Sequence, residues 1–203
     1  MEFILSQSSV SEYSGQAILL PVVSKGDQPA ATAAIDKSVN GFITQLLENK
    51  DIKGKAGETL VVPQANGPRL ILVGMGESPV KKQDFIKSVQ GAAKALKASA
   101  ADDAMIDLSD IEVIGQDTHW ANIQLAQAFQ NSLYHFDECK SKKEDAPASP
   151  TIKSLTVAAD KSFQADIKYG QAVAKGMAYT KKLCDLPPNI ATPCYLADEA
   201  DKL

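Results

Sequence analysis

The sequence predicts an α/β protein, a layered αβα domain with a mixed, mostly parallel sheet, followed by a long helix. Short runs rich in Ile, Leu and Val alternate along the 203 residues with longer segments whose apolar residues recur every three or four positions. This alternation is typical of strands covered by helices on both faces. The last long helical pattern runs up to Pro187 and Pro188, which cannot continue a helix.

The composition is that of an ordinary folded protein, with 44% hydrophobic and 23% charged residues. With 21 Lys and Arg against 25 Asp and Glu, the chain lacks the basic excess of a dedicated nucleic-acid binder. Its start, Met1-Glu2, lacks the cationic region of a signal peptide, and no run approaches the roughly 20 apolar residues of a membrane span. We therefore expect a cytoplasmic protein without a membrane partner.

The first elements are two strands and a helix. Residues 3–5 and 17–23 are rich in Ile, Leu and Val and are bounded by Ser and Gly, which favours strands of a covered sheet. From about residue 30 to 49 the apolar residues recur at +4, +3 and +4, which predicts one amphipathic helix with the face Ile35, Val39, Phe42 and Leu46.

The middle of the chain predicts a hairpin and a helix. Residues 59–63 and 69–73 are strand candidates separated by Asn66-Gly67-Pro68, a turn sequence. The periodic segment from about residue 81 to 98 follows, and its predicted buried face is Phe85, Val89, Ala93 and Leu96.

The pattern continues with a short strand in "AMIDLSD" and a helix from about Thr118 to Cys139, whose apolar face is Leu125, Phe129, Leu133 and Phe136. The polar stretch "KSKKEDAPASP" then indicates an exposed loop. A last strand is predicted in "SLTVAA", and residues 163–183 form the long helix.

The final residues have the pattern of a helix start. Thr192 is a suitable N-cap, and Pro193 suits the first helical position. Leu196, Ala200 and Leu203 then form an apolar stripe that expects a partner. We expect a domain boundary near residues 184–190, with residues 191–203 opening a second domain that the chain does not complete.

One glycine pair follows a strand, in Gly74-Met75-Gly76. Such a pair invites a phosphate-loop interpretation, because small residues let backbone N–H groups approach a ligand. However, Pro79 stands where a third glycine is needed, and no Walker lysine is present. A plain tight turn is the favoured interpretation.

Residues able to carry chemistry are scattered. His119 and His135 are 16 positions apart, about 24 Å along the predicted helix, so they cannot share one site on it. The acids Asp198, Glu199 and Asp201 and the lysines of "KSKKED" and Lys181-Lys182 are best interpreted as surface groups. The cysteines Cys139, Cys184 and Cys194 have neither CxxC spacing nor an even count, so they are interpreted as reduced bystanders rather than as a disulfide framework or a zinc cage. The sequence thus offers no catalytic, cofactor-binding or metal-binding residue.

The segment "KLCDLPPNIATPCYLADEA" resembles the lead into the catalytic domain of the leucine aminopeptidase (cytosol aminopeptidase) family. Asp185 departs from the Asn that the family usually has. The stretches "MEF", "RLILVGMGE" and "YHFDECKSKK" are similar to the bacterial, aminopeptidase A type of that family. The matching positions of the first segment are Leu183, Pro187 or Pro188, Asn189, Thr192, Pro193, Leu196 and Ala197.

This resemblance implies an amino-terminal, macro-domain-like α/β domain at residues 1–161, a linker helix at 162–186, and the start of a truncated carboxyl-terminal catalytic domain at 187–203. The parent would be a homohexameric metallo-exopeptidase that releases amino-terminal residues from peptides with two divalent ions, Mn or Zn. Its ligands would belong to the catalytic domain. The resemblance therefore implies that these 203 residues alone are inactive and hold no cofactor.

Two alternatives remain open. Some bacterial relatives bind DNA, and the lysine patches are compatible with that role. A macro-domain-like fold could instead bind ADP-ribose near Gly74 to Gly76. We expect no tight ADP-ribose binding, because the segment up to Pro79 lacks the run of small residues that lets backbone amides close around a diphosphate.

Overall fold

The computed structural model of the chain describes residues 1–65, 67–139 and 152–202. Its centre is one sheet of six strands in the order β1-β6-β5-β2-β4-β3, in which only β3 runs antiparallel to its neighbour. The predicted mixed, mostly parallel sheet is confirmed. The strands are β1 Glu2–Ser6, β2 Ala17–Lys25, β3 Thr59–Val62, β4 Arg69–Glu77, β5 Asp103–Ile106 and β6 Ser154–Ala158.

Six α-helices are found in the described residues, together with short 3-10 helices at Val10–Glu12 and Lys161–Phe163. In the described part of the chain, no helix has both the length and the apolarity that a bilayer crossing requires. The α-helices are α1 Ala30–Ser38, α2 Phe42–Glu48, α3 Lys82–Ala98, α4 Thr118–Ser132, α5 Gln164–Asp185 and α6 Pro193–Ala200.

The sheet separates two apolar cores because its central strands are buried on both faces. Along β2, Ile18, Leu20 and Val22 face the core beneath α1 and α2. Their neighbours Ala17, Leu19 and Val23 face the core beneath α3, α4 and α5. This two-residue alternation follows from strand geometry, and it produces the predicted αβα layers.

The segment predicted as one helix from residue 30 to 49 is two helices, so that prediction is wrong. Asn40 and Gly41 have φ angles of 57° and 78°, which end α1. Asp36 starts α2, since its carboxylate accepts a hydrogen bond from the backbone N–H of Ile43 at 2.7 Å. Ile43 is buried in the core beneath this helix, whereas Phe42, predicted on the buried face, is 39% exposed.

Helix α4 also ends earlier than predicted, at Ser132 rather than near Cys139. Residues 133–139 form a turn and an irregular segment that runs back along the end of α5. There the Tyr134 hydroxyl donates to Asp185 at 2.6 Å. The predicted exposed loop at 140–150 and the turn residue Asn66 lie outside the described residues, whereas Gly67 beside it has a φ of 103°.

Helices α4 and α5 approach closely at Gly170. A Cβ atom at this position would lie 2.5 Å from the carbonyl oxygen of Ile123 and 2.9 Å from the Cβ of Ala126. Only a hydrogen atom fits between these two backbones, so the glycine sets the spacing of the outer helical layer.

We expect Gly170→Ala to lower the free energy of unfolding by about 1–3 kcal/mol, because the methyl group must push α4 away from α5. Gly176→Ala is the matched control on the same helix, since no described atom lies within 4 Å of its added Cβ. Alanine should be neutral there or stabilising by up to about 1 kcal/mol. Urea unfolding of both variants, followed by circular dichroism, measures the difference. Equal midpoints would show that the helices accommodate the methyl group.

The carboxyl-terminal helix α6 packs weakly on the described remainder of the chain. The Thr192 hydroxyl caps it by accepting from the backbone N–H of Tyr195 at 3.3 Å, as predicted from the Thr-Pro pair. None of its described residues is buried, and Leu196 is 42% exposed. A hydrogen bond of 2.8 Å from the Tyr179 hydroxyl to Glu199 links it to α5.

We expect the backbone amides of α6 to exchange with solvent much faster than those of residues 70–73 in β4. An isolated helix of this length is marginal in water, whereas β4 is paired on both sides, with β2 and β3. Hydrogen exchange read by NMR in dilute solution measures both sets in one experiment. Equal protection in a monomer would mean that α6 is held by contacts stronger than those seen here.

Candidate functional site

The carboxyl ends of the parallel strands meet at one edge of the sheet, where ligands of open α/β folds bind. Here this edge contains a cleft of about 550 Å³ between the ends of β1, β5 and β6 and the start of α1. The lining comes from residues 6–10, from Ala30, Ala31 and Ala34, from Asp107, Ser109 and Asp110, and from residues 158–160.

The charged side chains that line this cleft are carboxylates. The Asp110 carboxylate accepts from the backbone N–H of Ala30 at 3.1 Å and so occupies the amino terminus of α1. Asp160 accepts from the backbone N–H of Ser162 at 2.8 Å, and this bond lowers the pKa of the Asp160 carboxyl. No Lys, Arg or His lines the cleft among the described residues. An anion would meet carboxylates at the positions where it would otherwise bind.

A smaller cavity of about 280 Å³ lies beside this cleft and shares four lining residues with it: Ser109, Ala158, Ala159 and Asp160. Asn122 of α4 also lines it and is only 6% exposed. The Nδ2 atom of Asn122 is buried and has no hydrogen-bond partner in the described part of the chain. Asn122 belongs to none of the motifs or apolar faces found in the sequence.

The glycine pair at residues 74 and 76 lies inside β4, so the favoured tight turn is wrong. The backbone N–H of Gly74 donates to Glu58 at 2.8 Å, and that of Gly76 donates to Gly54 at 2.8 Å. These amides are therefore not available to a phosphate. The cleft of about 560 Å³ beside Gly76 has exposed lysines in its wall, Lys55, Lys81 and Lys87.

The two histidines are in different structural contexts. His119 lies in the first turn of α4, where its Nδ1 is 2.8 Å from the Asp166 carboxylate of α5 and its ring packs against Phe163 at 5.0 Å. His135 lies beyond the end of α4, so the two do not share one helix as predicted. His119 connects the first turns of α4 and α5 and has a structural role.

Several charged side chains near the carboxyl terminus are bonded to other side chains of the chain. Lys181 donates to Asn131 at 2.6 Å, and Lys182 pairs with Glu138 at 2.7 Å. Glu199 accepts from Lys202 at 2.5 Å, which lowers the pKa of the Glu199 carboxyl. The cysteines Cys139, Cys184 and Cys194 are free and exposed. The lysines of "KSKKED" lie outside the described residues.

A hydrolytic two-metal centre needs a cluster of ligands that holds both ions. Within residues 1–65, 67–139 and 152–202, no three His, Cys, Asp or Glu side chains come together in a way that could hold a metal ion. The described residues therefore do not fit such a centre.

The sheet order and the helices on both of its faces define a layered α/β domain, extended by a long helix. A macrodomain of Mycobacterium tuberculosis DarG has this fold: it aligns with 78% of the chain at a TM-score of 0.57 and 12% identity, covering 98% of its own chain. Residues 19–143 match the cytosol aminopeptidase family, N-terminal domain. The chain belongs to this family.

Curated relatives match the chain over its full length. A probable cytosol aminopeptidase of Nitrosomonas eutropha is 33% identical and the cytosol aminopeptidase of Pseudomonas aeruginosa strain PAO1 is 35% identical, and each alignment covers 100% of the chain and 42% of the relative. The chain thus spans about two fifths of the length of these relatives. The resemblance in the sequence motifs is confirmed.

Solved structures agree on the fold. A mutant of tomato leucine aminopeptidase aligns with 100% of the chain at a TM-score of 0.79 and 22% identity, and the match covers 41% of that protein. The bottromycin maturation enzyme BotP in complex with Mn aligns with 93% of the chain at a TM-score of 0.68 and 17% identity, over 36% of its own length.

Proposed function

We propose that the chain is the non-catalytic, amino-terminal part of a leucyl aminopeptidase, a metallo-exopeptidase that releases amino-terminal residues from peptides. The observation that carries the proposal is the alignment of the whole chain with about two fifths of cytosol aminopeptidases at 33–35% identity. The match of residues 19–143 to the N-terminal domain of the cytosol aminopeptidase family adds support.

Within this proposal the chain has three parts: an α/β domain at 1–161, a linker helix at 162–186, and the start of a catalytic domain at 187–203. The support is that α5 spans Gln164–Asp185 and that Pro187 follows its end. The catalytic domain would supply the peptide site and two divalent ions, Mn or Zn. The Mn-bound BotP structure is consistent with a metal-dependent parent.

The role we assign to this domain is assembly of a cytoplasmic homohexamer and control of access to its active sites. Deleting the equivalent residues from the Pseudomonas aeruginosa relative tests this role by sedimentation. Loss of a hexamer is expected, whereas an unchanged hexamer would contradict the role. DNA binding is not proposed, because 21 Lys and Arg against 25 Asp and Glu give the chain no basic excess.

We expect the 203-residue chain to show no hydrolysis of leucine p-nitroanilide with added Mn²⁺ or Zn²⁺, because two-metal hydrolysis requires ions held beside the bound substrate. The full-length cytosol aminopeptidase of Pseudomonas aeruginosa, prepared in the same way, is the positive control. Metal-dependent turnover that co-purifies with the chain, and is absent from a mock purification of the host, would refute the inactive assignment.

A further inference from the structure

One side of helix α5 is uncovered in the described part of the chain. Lys168, Ala172 and Lys175 follow one another at +4 and +3, which places them on the same side of the helix, and all three are exposed. Ile167 and Gly170 are buried on the opposite side, where α5 packs on α4 and the core. We call the uncovered side the outer face of α5, and its residues are Lys168, Tyr169, Ala172, Lys175 and Gly176.

Gly176 of the outer face is not required by the described fold. It lies in the interior of α5, where glycine is less favourable than alanine by roughly 0.5–1 kcal/mol. An added Cβ atom there would meet no described atom of another part of the chain within 4 Å, whereas a Cβ at Gly170 would lie 2.5 Å from the carbonyl oxygen of Ile123. Gly170 thus lets α4 approach α5 closely. Gly176 offers the same close approach to a helix that would lie on the outer face.

The charges along this side of α5 are positive and regularly spaced. Lys168 and Lys175 are seven residues apart, and Lys161 precedes them by another seven. In a helix this repeat brings side chains to one side at intervals of about 10.5 Å. None of the three lysines forms an ion pair with a described residue. The two acids of α5, Asp166 and Asp185, occupy helical positions away from this face and bond to His119 and Tyr134.

A partner helix matches this surface better than a second α5 or a nucleic acid does. A helix that carries Asp or Glu every seven residues presents its carboxylates at the same interval of about 10.5 Å. A second α5 would set lysines against lysines. Nucleic-acid phosphates pair with lysine head groups, which extend beyond the helix surface, so they give no reason for the glycine at position 176.

We propose that the outer face of α5 binds a helix of a partner protein that carries carboxylates at seven-residue spacing. Lys168 and Lys175 pair with these carboxylates, and Gly176 admits the backbone of the partner helix. Tyr169, which is 61% exposed, adds an apolar contact at the edge of the face. The proposal goes beyond the proposed aminopeptidase function and does not depend on it.

The test is an NMR titration of the 203-residue chain with a synthetic, alanine-rich helical peptide of about 21 residues that carries Glu every seventh position. We expect saturable shifts of the backbone amides of residues 168–176. A matched peptide with Gln in place of each Glu lacks the charges and should bind at least about tenfold more weakly at low salt.

Gly176→Leu fills the position at which the partner backbone would lie and leaves every lysine in place. The variant should fold, because the site is exposed and leucine is a good helix former. We expect it to weaken binding of the Glu peptide by about tenfold or more. Gln90→Leu, an exposed position of α3, is the matched control and should bind as the unchanged chain does.

Three results would overturn the proposal: no saturable shift with the Glu peptide, equal affinity for the Gln peptide, or unchanged affinity of the Gly176→Leu variant. Duplex DNA and phosphatidylserine vesicles are titrated in parallel. If either binds residues 168–176 more tightly than the Glu peptide does, and Gly176→Leu leaves that binding unchanged, the face recognises a polyanion and the proposal is also wrong. The comparison of the two peptides needs no variant, so it decides the question even if Gly176→Leu does not fold.

Discussion

Phe129→Ala is expected to lower the free energy of unfolding by about 3–5 kcal/mol, the range for removing a buried aromatic ring. Phe129 lies on α4 and is 0% exposed. It belongs to the core between the sheet and α3, α4 and α5, together with Phe85 and Ile167. Removing the ring leaves a cavity that three helices and the sheet would have to fill.

Phe42→Ala is the matched control, because Phe42 is 39% exposed at the start of α2 and loses far less buried surface. Its cost should stay below about 1.5 kcal/mol. Urea unfolding monitored by tryptophan fluorescence compares the two variants with the unchanged chain. Similar midpoints for both variants would mean that α4 does not carry the core described here.

Gly74→Ala is expected to destabilise the chain by about 1–3 kcal/mol or more, although alanine is normally tolerated in a strand. The added Cβ would lie 2.1 Å from the carbonyl oxygen of Lys55 and 2.8 Å from the carbonyl carbon of Gly54. Both contacts are with backbone, which cannot rotate away as a side chain can. The segment at residues 54–57 would have to move away from β4.

The same movement would break specific hydrogen bonds. The backbone N–H of Gly57 donates to the Gly74 carbonyl at 3.0 Å, and the Ser88 hydroxyl donates to that carbonyl at 2.6 Å. Faster hydrogen exchange at Gly57 and Gly76 should accompany the lower stability. Gly176→Ala again controls for a glycine-to-alanine change without a clash. Unfolding midpoints that match for the two variants would contradict this account of Gly74.

The strands were the most predictable part of the fold. Strands β2 and β4 are buried on both faces, so continuous runs of Ile, Leu and Val mark them without any knowledge of their partners. One local end signal also predicted correctly, the Thr192 cap of α6. The class and the layers follow from such local patterns.

The break between α1 and α2 could not be found from periodicity. The spacing of Ile35, Val39, Phe42 and Leu46 is compatible with one helix, yet the positive φ angles at Asn40 and Gly41 end it. The capping carboxylate belongs to Asp36, seven residues before Ile43, whereas sequence rules look for a cap directly before the helix. The cap of α2 therefore comes from a residue of the preceding helix rather than from the residue directly before α2.

The structural contexts of Gly74 and Asn122 could not be predicted for a similar reason. The sequence shows Gly74 as a glycine after a strand. The reason that a glycine is needed there is the backbone of residues 54–57, which crosses this position, and only the folded chain shows that crossing. Asn122 occurs as an ordinary polar residue of an amphipathic helix. Asn122 is distinguished only by its position in a cavity wall beside residues 157–160, which are distant from it in the sequence.

The pairing of the first strand with the last has a consequence for synthesis on the ribosome. Glu2 pairs with Ser154 and Ser6 with Ala158, whereas β2 pairs with β4 once Glu77 has been made. Residues 2–6 therefore cannot pair until about 150 further residues have been translated, several seconds or more at roughly 5–20 residues per second. Until then the nascent chain exposes Phe3 and Leu5, two side chains that the folded sheet buries.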